Sequence, residues 1–144
     1  MTLIEFRAIN FPDRFIRHRN FLGELTTKDR LGRDFQFELV KRGKGLVALR
    51  SKNFPKLFLR HRDFRVRLEG PNGQNDQLFL KDSTFALVPG LADPSAVSLR
   101  SFNFPDRFLR HRDFSLFVEP RDSPNFALDA TFIKQPAAVI IDEG

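Results

Sequence analysis

The hydrophobic positions along the chain lie in short runs that Pro, Gly, Asp and Asn separate. The runs are rich in Phe, Val, Leu and Ile, residues that favour β-strands. No segment keeps apolar residues at three- and four-residue spacing over a dozen positions, and nine prolines interrupt the segments that come nearest to it. The pattern therefore predicts an all-β protein.

A twelve-residue pattern occurs three times, as NFPDRFIRHRNF at 10–21, NFPKLFLRHRDF at 53–64 and NFPDRFLRHRDF at 103–114. Eight of the twelve positions are identical in all three copies, which start 43 and then 50 residues apart. An apolar segment precedes each copy: Leu3–Arg7, Leu46–Arg50 and Val97–Arg100. A D-x-x-F segment follows each copy: Asp34–Phe37, Asp82–Phe85 and Asp129–Phe132. Each unit thus offers four short stretches of strand character.

Three such units account for all 144 residues, so we predict a single domain, 1–144, with lobes at approximately 1–45, 46–95 and 96–144. Propellers generally need at least four blades, and this chain has three repeats. We therefore predict a β-trefoil with pseudo-threefold symmetry, a six-stranded barrel capped by three hairpins. The apolar run Ala137–Ile141 is expected to pair with the first strand and close the barrel.

The chain has no cysteine, which excludes a disulfide framework, a thiolate zinc site and a cysteine nucleophile. Its longest aliphatic run, Ala137–Ile141, is too short to span a bilayer, and no signal-peptide pattern is present. We expect a soluble monomer with no cofactor and no membrane partner. The sequence favours an extracellular location if the chain is excised from a secreted enzyme, and a cytoplasmic one if Met1 is native.

The net charge of +6 lies almost entirely in the repeat, where nine basic and four acidic residues give +5. Basic groups interleaved with aromatic rings can bind nucleic acid, sulfated glycans or neutral sugars. Alternatively, these arginines pair with Asp34, Asp82 and Asp129 and hold each lobe together. The last Phe of each copy is expected in the core: Phe21, Phe64 and Phe114.

The only histidines, His18, His61 and His111, occupy one repeat position. Three explanations are open: a structural hydrogen bond in each lobe, a zinc site shared on the threefold axis, or a ligand pocket in each lobe. Arginines on both sides of each histidine disfavour a metal cation. In the third explanation, the histidine and the Asp of D-x-x-F bind hydroxyl groups.

The pattern N-F-P-x-x-F-[IL]-R-H-R-[ND]-F, followed by D-x-T-F and by VPGLADPS at 88–95, resembles a known family. It is similar to the C-terminal arabinose-binding domain of α-L-arabinofuranosidases B, carbohydrate-binding module family 42, over essentially the whole chain. The resemblance implies a β-trefoil that holds arabinofuranose side chains of arabinoxylan and arabinan. The first unit departs from D-x-T-F, because Asp34-Phe35-Gln36-Phe37 lacks the Thr.

The resemblance also implies which residues contact the sugar, with one His and Asp pair per lobe: His18 and Asp34, His61 and Asp82, His111 and Asp129. The family usually has Tyr before the [IL]-R-H triplet. In this chain Phe15, Phe58 and Phe108 stand there, which keeps an apolar face and loses a hydroxyl.

We therefore predict a non-catalytic, lectin-like carbohydrate-binding module with up to three pockets for arabinofuranose residues of plant polysaccharides. Glycoside hydrolysis normally uses two carboxylates, whereas each lobe offers one repeat-equivalent Asp, so an accessory domain of a glycoside hydrolase is favoured over an enzyme. The alternatives are a polyanion-binding module, with nucleic acid the less favoured ligand, and a trefoil interaction scaffold that no longer binds sugar. If Asp82 only contacts ligand, its replacement by Ala leaves stability nearly intact.

Overall fold

The computed structural model of the chain describes residues 2–137. Twelve β-strands dominate it: β1 Leu3–Ala8, β2 Arg14–Arg19, β3 Leu22–Thr27, β4 Phe37–Gly43, β5 Leu46–Ser51, β6 Phe58–Arg62, β7 Arg65–Glu69, β8 Phe85–Pro89, β9 Val97–Ser101, β10 Arg107–Arg112, β11 Ser115–Pro120 and β12 Phe132–Pro136. A 3-10 turn at Arg33–Phe35 and the short helices α1 Gln77–Asp82 and α2 Phe126–Asp129 complete the described chain. The all-β prediction, with four strands per repeat, is confirmed.

Six strands form a closed ring, in which β1 pairs with β4, β4 with β5, β5 with β8, β8 with β9, β9 with β12 and β12 with β1. The closing pair places Ile4 opposite Pro136 and Ala8 opposite Phe132. Beyond β12, the Ala137 amide donates to the Leu3 carbonyl at 2.9 Å. The rest of the run expected to close the barrel, 138–141, lies outside the described residues.

The other six strands form three hairpins, β2–β3, β6–β7 and β10–β11, whose second strands pair with one another around the threefold axis. The turn carbonyls of these hairpins accept amides of neighbouring strands in a cycle: Phe21 from Leu68, Phe64 from Val118 and Phe114 from Leu25, at 2.8–2.9 Å. A six-stranded barrel capped by three hairpins is the predicted β-trefoil. We call β1–β4 unit 1, β5–β8 unit 2 and β9–β12 unit 3.

The prediction that Phe21, Phe64 and Phe114 lie in the core is wrong. Phe21 is 50% exposed and Phe114 37%, and Phe64 is only partly buried. Each is the second residue of a two-residue hairpin turn, with φ of 60°, 62° and 62°, so the left-handed backbone breaks the strand alternation and turns the ring outward. The core is filled instead by strand residues such as Ile16, Leu59 and Leu109 and by Phe37, Phe85 and Phe132 of the D-x-x-F segments.

The hairpin strands meet at a tightly packed point where Gly23, Val66 and Leu116 occupy equivalent positions. A Cβ on Gly23 would lie 2.8 Å from Val66 Cγ1 and 3.1 Å from Leu116 Cδ1. Glycine is therefore required by space at this position, since its own backbone is ordinary strand.

None of the helices within residues 2–137 has the length and apolarity that crossing a membrane requires.

Candidate functional site

Each boundary between consecutive units, which we call a seam, holds a cluster of four polar side chains. At the first seam, Arg17 Nη2 donates to Asp34 Oδ2 at 2.6 Å. The other carboxylate oxygen, Oδ1, accepts Asn53 Nδ2 at 2.8 Å, and His18 Nε2 lies 2.9 Å from Asn53 Oδ1. Arg17, His18 and Asp34 come from unit 1 and Asn53 from the start of unit 2, so the cluster spans both units.

The other two seams repeat this geometry with small differences in distance. At the second, Arg60 lies 2.5 Å from Asp82, Asn103 2.8 Å from Asp82, and His61 3.0 Å from Asn103. At the third, Arg110 lies 2.7 Å from Asp129, Asn10 2.9 Å from Asp129, and His111 2.9 Å from Asn10. The third seam joins unit 3 back to unit 1.

The structure brings each predicted His and Asp together, but an asparagine links them. His Nε2 lies 3.7, 3.4 and 3.6 Å from Asp Oδ1 in the three clusters, beyond a good hydrogen bond. Sequence reasoning missed Asn10, Asn53 and Asn103. The sequence does show that Asn is the first residue of every repeat copy. Each Asn, however, contacts the His and Asp of the preceding unit.

Serines fix the asparagine at two seams. Ser51 Oγ donates to Asn53 Oδ1 at 2.9 Å and accepts the Phe54 amide at 3.1 Å, and Ser101 makes the equivalent contacts to Asn103 and Phe104. Unit 1 has Ala8 at this position, so the third seam lacks this contact. The asparagine amide is therefore held less firmly at the third seam.

Exposure separates the roles of the carboxylates and the imidazoles. The three histidines are only 3–4% exposed, whereas the Asp side chains are 29% exposed at Asp34, 18% at Asp129 and 7% at Asp82. A carboxylate oxygen has two lone pairs, so one that accepts a single protein hydrogen bond can accept another from a ligand. Of the three cluster carboxylates, Asp34 has the most accessible surface.

Burial lowers the pKa of His18 and of His111, because the charged imidazolium loses its hydration. The hydrogen bond to Asn53 and the charge of Asp34 oppose this at His18, and Asp129 opposes it at His111. The neutral ring fits the geometry, since an Nε2–H can donate to the asparagine Oδ1.

The lowered pKa values make stability depend on pH. The unfolded histidines have pKa values of about 6.5, so between that pH and the lower folded pKa the unfolded chain binds more protons. We expect this contribution to the free energy of unfolding, from urea titrations, to be full above about pH 6.5 and to fall as the pH is lowered from there through the folded pKa values of His18 and His111. A His18→Gln, His111→Gln double variant should show a flatter slope; an equal slope in both proteins contradicts the assignment.

The shared zinc site considered on the threefold axis is not what the structure shows. Each imidazole contacts its own asparagine at a separate seam. Across residues 2–137 there is no group of three or more His, Cys, Asp or Glu side chains that could hold a metal ion.

Most of the positive charge of the repeat is neutralised by residues outside the twelve-residue copies. The arginine before each histidine pairs with Asp34, Asp82 or Asp129. The arginine after each histidine pairs with a glutamate: Arg19 with Glu24, Arg62 with Glu69 and Arg112 with Glu119. Arg14 and Arg107 lie 3.8 and 3.7 Å from the ring centroids of Phe114 and Phe64. The repeat is therefore not an open basic surface.

The predicted aromatic site residues, Phe15, Phe58 and Phe108, do not join the Asp–Asn–His clusters. Their rings pack edge-on against a second ring, Phe35, Phe79 or Phe126 respectively, at centroid distances of 5.9–6.5 Å. Each second ring also lies under the guanidinium that pairs with the Asp of that seam. These ring pairs therefore contact each cluster through its arginine.

Unit 1 reaches this packing by a different local path. Phe79 and Phe126 precede their Asp within a short helix, whereas Phe35 follows Asp34 in the 3-10 turn. The threonines of D-x-T-F accompany the helices, since Thr84 Oγ1 donates to the Leu80 carbonyl and Thr131 Oγ1 to that of Ala127. In unit 1 the Thr and the helix are absent together.

Exposed rings border each cluster on its outer side. The Phe of N-F-P stands edge-on to the buried histidine at 5.5–5.6 Å and to the turn Phe at 5.1–5.4 Å. These N-F-P rings, Phe11, Phe54 and Phe104, are 37–40% exposed. Sequence reasoning did not single them out.

An open cleft of about 470 Å³ lies over the first cluster. Its walls are Asp29, Arg30, Leu31, Arg33, Asp34 and Asn53. It therefore exposes the carboxylate and the amide of the first cluster to solvent.

A family model described as the alpha-L-arabinofuranosidase B (ABFB) domain matches residues 4–134. No curated protein matches the chain in sequence.

Solved structures share the fold. An arabinofuranosidase complexed with arabinofuranosyl-alpha-1,2-xylobiose is 21% identical, with a TM-score of 0.82 over 93% of this chain and 30% of its own. A GH54 arabinofuranosidase soaked with a cyclic sulfate inhibitor is 21% identical, with a TM-score of 0.79 over 93% of this chain and 31% of its own. The BEL beta-trefoil is 17% identical, with a TM-score of 0.71 over 94% of this chain and 93% of its own. The chain thus spans less than a third of the arabinofuranosidase chains.

Proposed function

The chain belongs to the alpha-L-arabinofuranosidase B (ABFB) domain family, and from this premise we propose that it captures arabinofuranose residues of plant polysaccharides. The family match confirms the resemblance seen in the repeat and supports a carbohydrate-binding role. The proposed ligands are terminal or branching arabinofuranose units of arabinoxylan and arabinan. The observation that carries the proposal is the recurrence, at three seams, of one carboxylate held by Arg and Asn beside an exposed Phe.

Each element of the cluster suits a furanose. Asp34, Asp82 and Asp129 accept hydrogen bonds from sugar hydroxyls, and the paired arginines hold these carboxylates in a fixed orientation. His18, His61 and His111 orient the asparagine amide. The exposed N-F-P ring offers an apolar surface to the sugar face. Phe15, Phe58 and Phe108 pack against the rings that contact the arginines.

Three weak sites on one rigid body raise the avidity for a decorated polymer without new contacts. Each cluster supplies a single carboxylate, whereas glycoside hydrolysis normally uses two. We therefore propose an accessory binding role, in which the module holds a glycoside hydrolase to its substrate.

The asparagine amides give a site-resolved test. We expect arabinofuranosyl-xylobiose to shift the side-chain NH₂ signals of Asn10, Asn53 and Asn103 in ¹⁵N-correlated NMR spectra. An Asp129→Asn variant should abolish the ligand response of Asn10 and leave that of Asn53 unchanged, because these amides serve different seams. Calorimetry on the same samples gives the number of sites. The absence of any response at the three amides contradicts the proposal.

The same titration discriminates the polyanion alternative. Binding of a neutral sugar changes little between low and moderate salt, whereas binding of a polyanion falls steeply. The pairing of six repeat arginines with carboxylates favours the neutral sugar.

A further inference from the structure

We propose that the unit 1 cleft accepts an acidic saccharide, a sugar carrying a uronate carboxylate, in contrast to neutral sites at the other two seams. This inference rests on the proposed function, because the acidic group is placed beside the sugar that the first cluster holds. The argument depends on two arginines of the cleft wall and on how the other units differ there.

Arg30 and Arg33 line the cleft, and both side chains are exposed. Within residues 2–137 neither side chain makes an ion pair, a hydrogen bond or a ring contact. They differ in this from the arginines of the repeat, most of which are paired. Two guanidinium groups therefore remain available to a ligand.

The two carboxylates of the cleft are already engaged. Asp34 accepts Arg17 and Asn53. Asp29 Oδ1 accepts the Gly32 amide at 2.7 Å, and its Oδ2 lies 3.9 Å from Arg17 Nη2. The lining itself holds two arginines and two aspartates, so the positive charge of Arg17, which contacts both aspartates, leaves a net charge of +1 at the cleft.

The equivalent segments of units 2 and 3 have a different character. Before Asp82 and Asp129 the chain forms α1 and α2, whose exposed surface carries Leu78, Leu80 and Leu128 at 65%, 42% and 42% exposure. Unit 1 has no helix there and places the segment KDRLGR, 28–33, beside its cluster. The unit 1 segment keeps one exposed leucine, Leu31, and holds three basic residues, whereas α1 holds one, Lys81, and α2 none.

A guanidinium binds a carboxylate through two parallel N–H donors, which suits a uronate better than a neutral hydroxyl. A sulfate ester offers similar oxygen geometry, so the shared chemistry is an anionic group on a sugar. We assign the carboxylate and make the sulfate an arm of the test.

The test compares a glucuronosyl-xylobiose with xylotriose, a neutral sugar of equal length, by NMR titration at low salt. The wild type should bind the acidic sugar about 2- to 10-fold more tightly, since exposed ion pairs contribute this much. An Arg30→Ala, Arg33→Ala double variant should lose the preference. The control, Lys44→Ala with Arg121→Ala, removes equal charge from exposed residues outside the cleft and should keep it.

Three outcomes overturn the inference: equal affinity of the wild type for both sugars, a preference that survives in the Arg30, Arg33 variant, or a preference lost equally in the control. A sulfated xylo-oligosaccharide that binds more tightly than the uronate, through the same arginines, replaces the carboxylate assignment. Titration with arabinofuranosyl-xylobiose, observed at Asn103, keeps the two proposals apart. A normal response there with no acidic preference rejects the inference alone, and an acidic preference without that response rejects the proposed function.

Discussion

The Asp82→Ala variant is expected to lose about 3–5 kcal/mol of unfolding free energy, the usual cost of leaving a buried charge without its partner. Asp82 is 7% exposed, and its oxygens accept Arg60 at 2.5 Å and Asn103 at 2.8 Å. Its removal leaves the Arg60 guanidinium, itself 7% exposed, with a weaker ion pair to Glu69 at 3.5 Å. Because of these contacts we expect a large loss of stability, whereas a carboxylate that only contacts ligand could be removed with stability nearly intact.

Asp34→Ala is the matched control, because it breaks the same contacts at a more hydrated seam. With Asp34 29% exposed, we expect a loss of about 1–2 kcal/mol. Urea unfolding of both variants at one pH gives the comparison, with the midpoint shifting at constant m-value. An Asp34→Ala cost equal to that of Asp82→Ala, or a cost at Asp82 below about 1 kcal/mol, contradicts the burial argument.

The Gly23→Ala variant is expected to lose about 1–3 kcal/mol through overpacking where the hairpins meet. The added methyl would lie 2.8 Å from Val66 Cγ1, inside van der Waals contact, and Val66 is fully buried between neighbouring strands. Chemical denaturation of Gly23→Ala and the wild type measures the loss.

A second substitution separates overpacking from backbone effects. Val66→Ala removes the clashing methyl and leaves a void of its own. The Gly23→Ala, Val66→Ala double variant should therefore lose about 1 kcal/mol less unfolding free energy than the two single variants lose together. Strict additivity would show that the cost at Gly23 does not arise from Val66.

The repeat was sufficient to predict the trefoil, because each copy marks the same hairpin and three copies close a ring. The family resemblance implied that His18 and Asp34 contact the same sugar, and their equivalents likewise. The repeat could not show that Asn53 joins them, since contacts across a seam connect residues 35 positions apart in different copies. A residue that is identical in all three copies is expected to make the same contact in each, but the repeat does not show which unit it contacts.

The errors at aromatic positions have a backbone cause. Phe21, Phe64 and Phe114 look like the inner residue of a strand, but the turn gives them positive φ and the ring points outward. Phe35 takes the place that Phe79 and Phe126 hold in other units although it stands on the other side of its Asp. Hydrophobicity by itself does not encode either the hand of a turn or the exchange of a helix for a tighter turn.

Because the clusters lie at seams, the number of complete clusters depends on ring closure. An isolated unit contains no complete cluster, and an open chain of three units contains two, because a linear array has one fewer junction than it has units. The third cluster forms only when β1 joins β12 and brings Asn10 to Asp129 and His111. The number of proposed sites thus depends on topology: a change that separates β1 from β12 removes one cluster and leaves the other two intact.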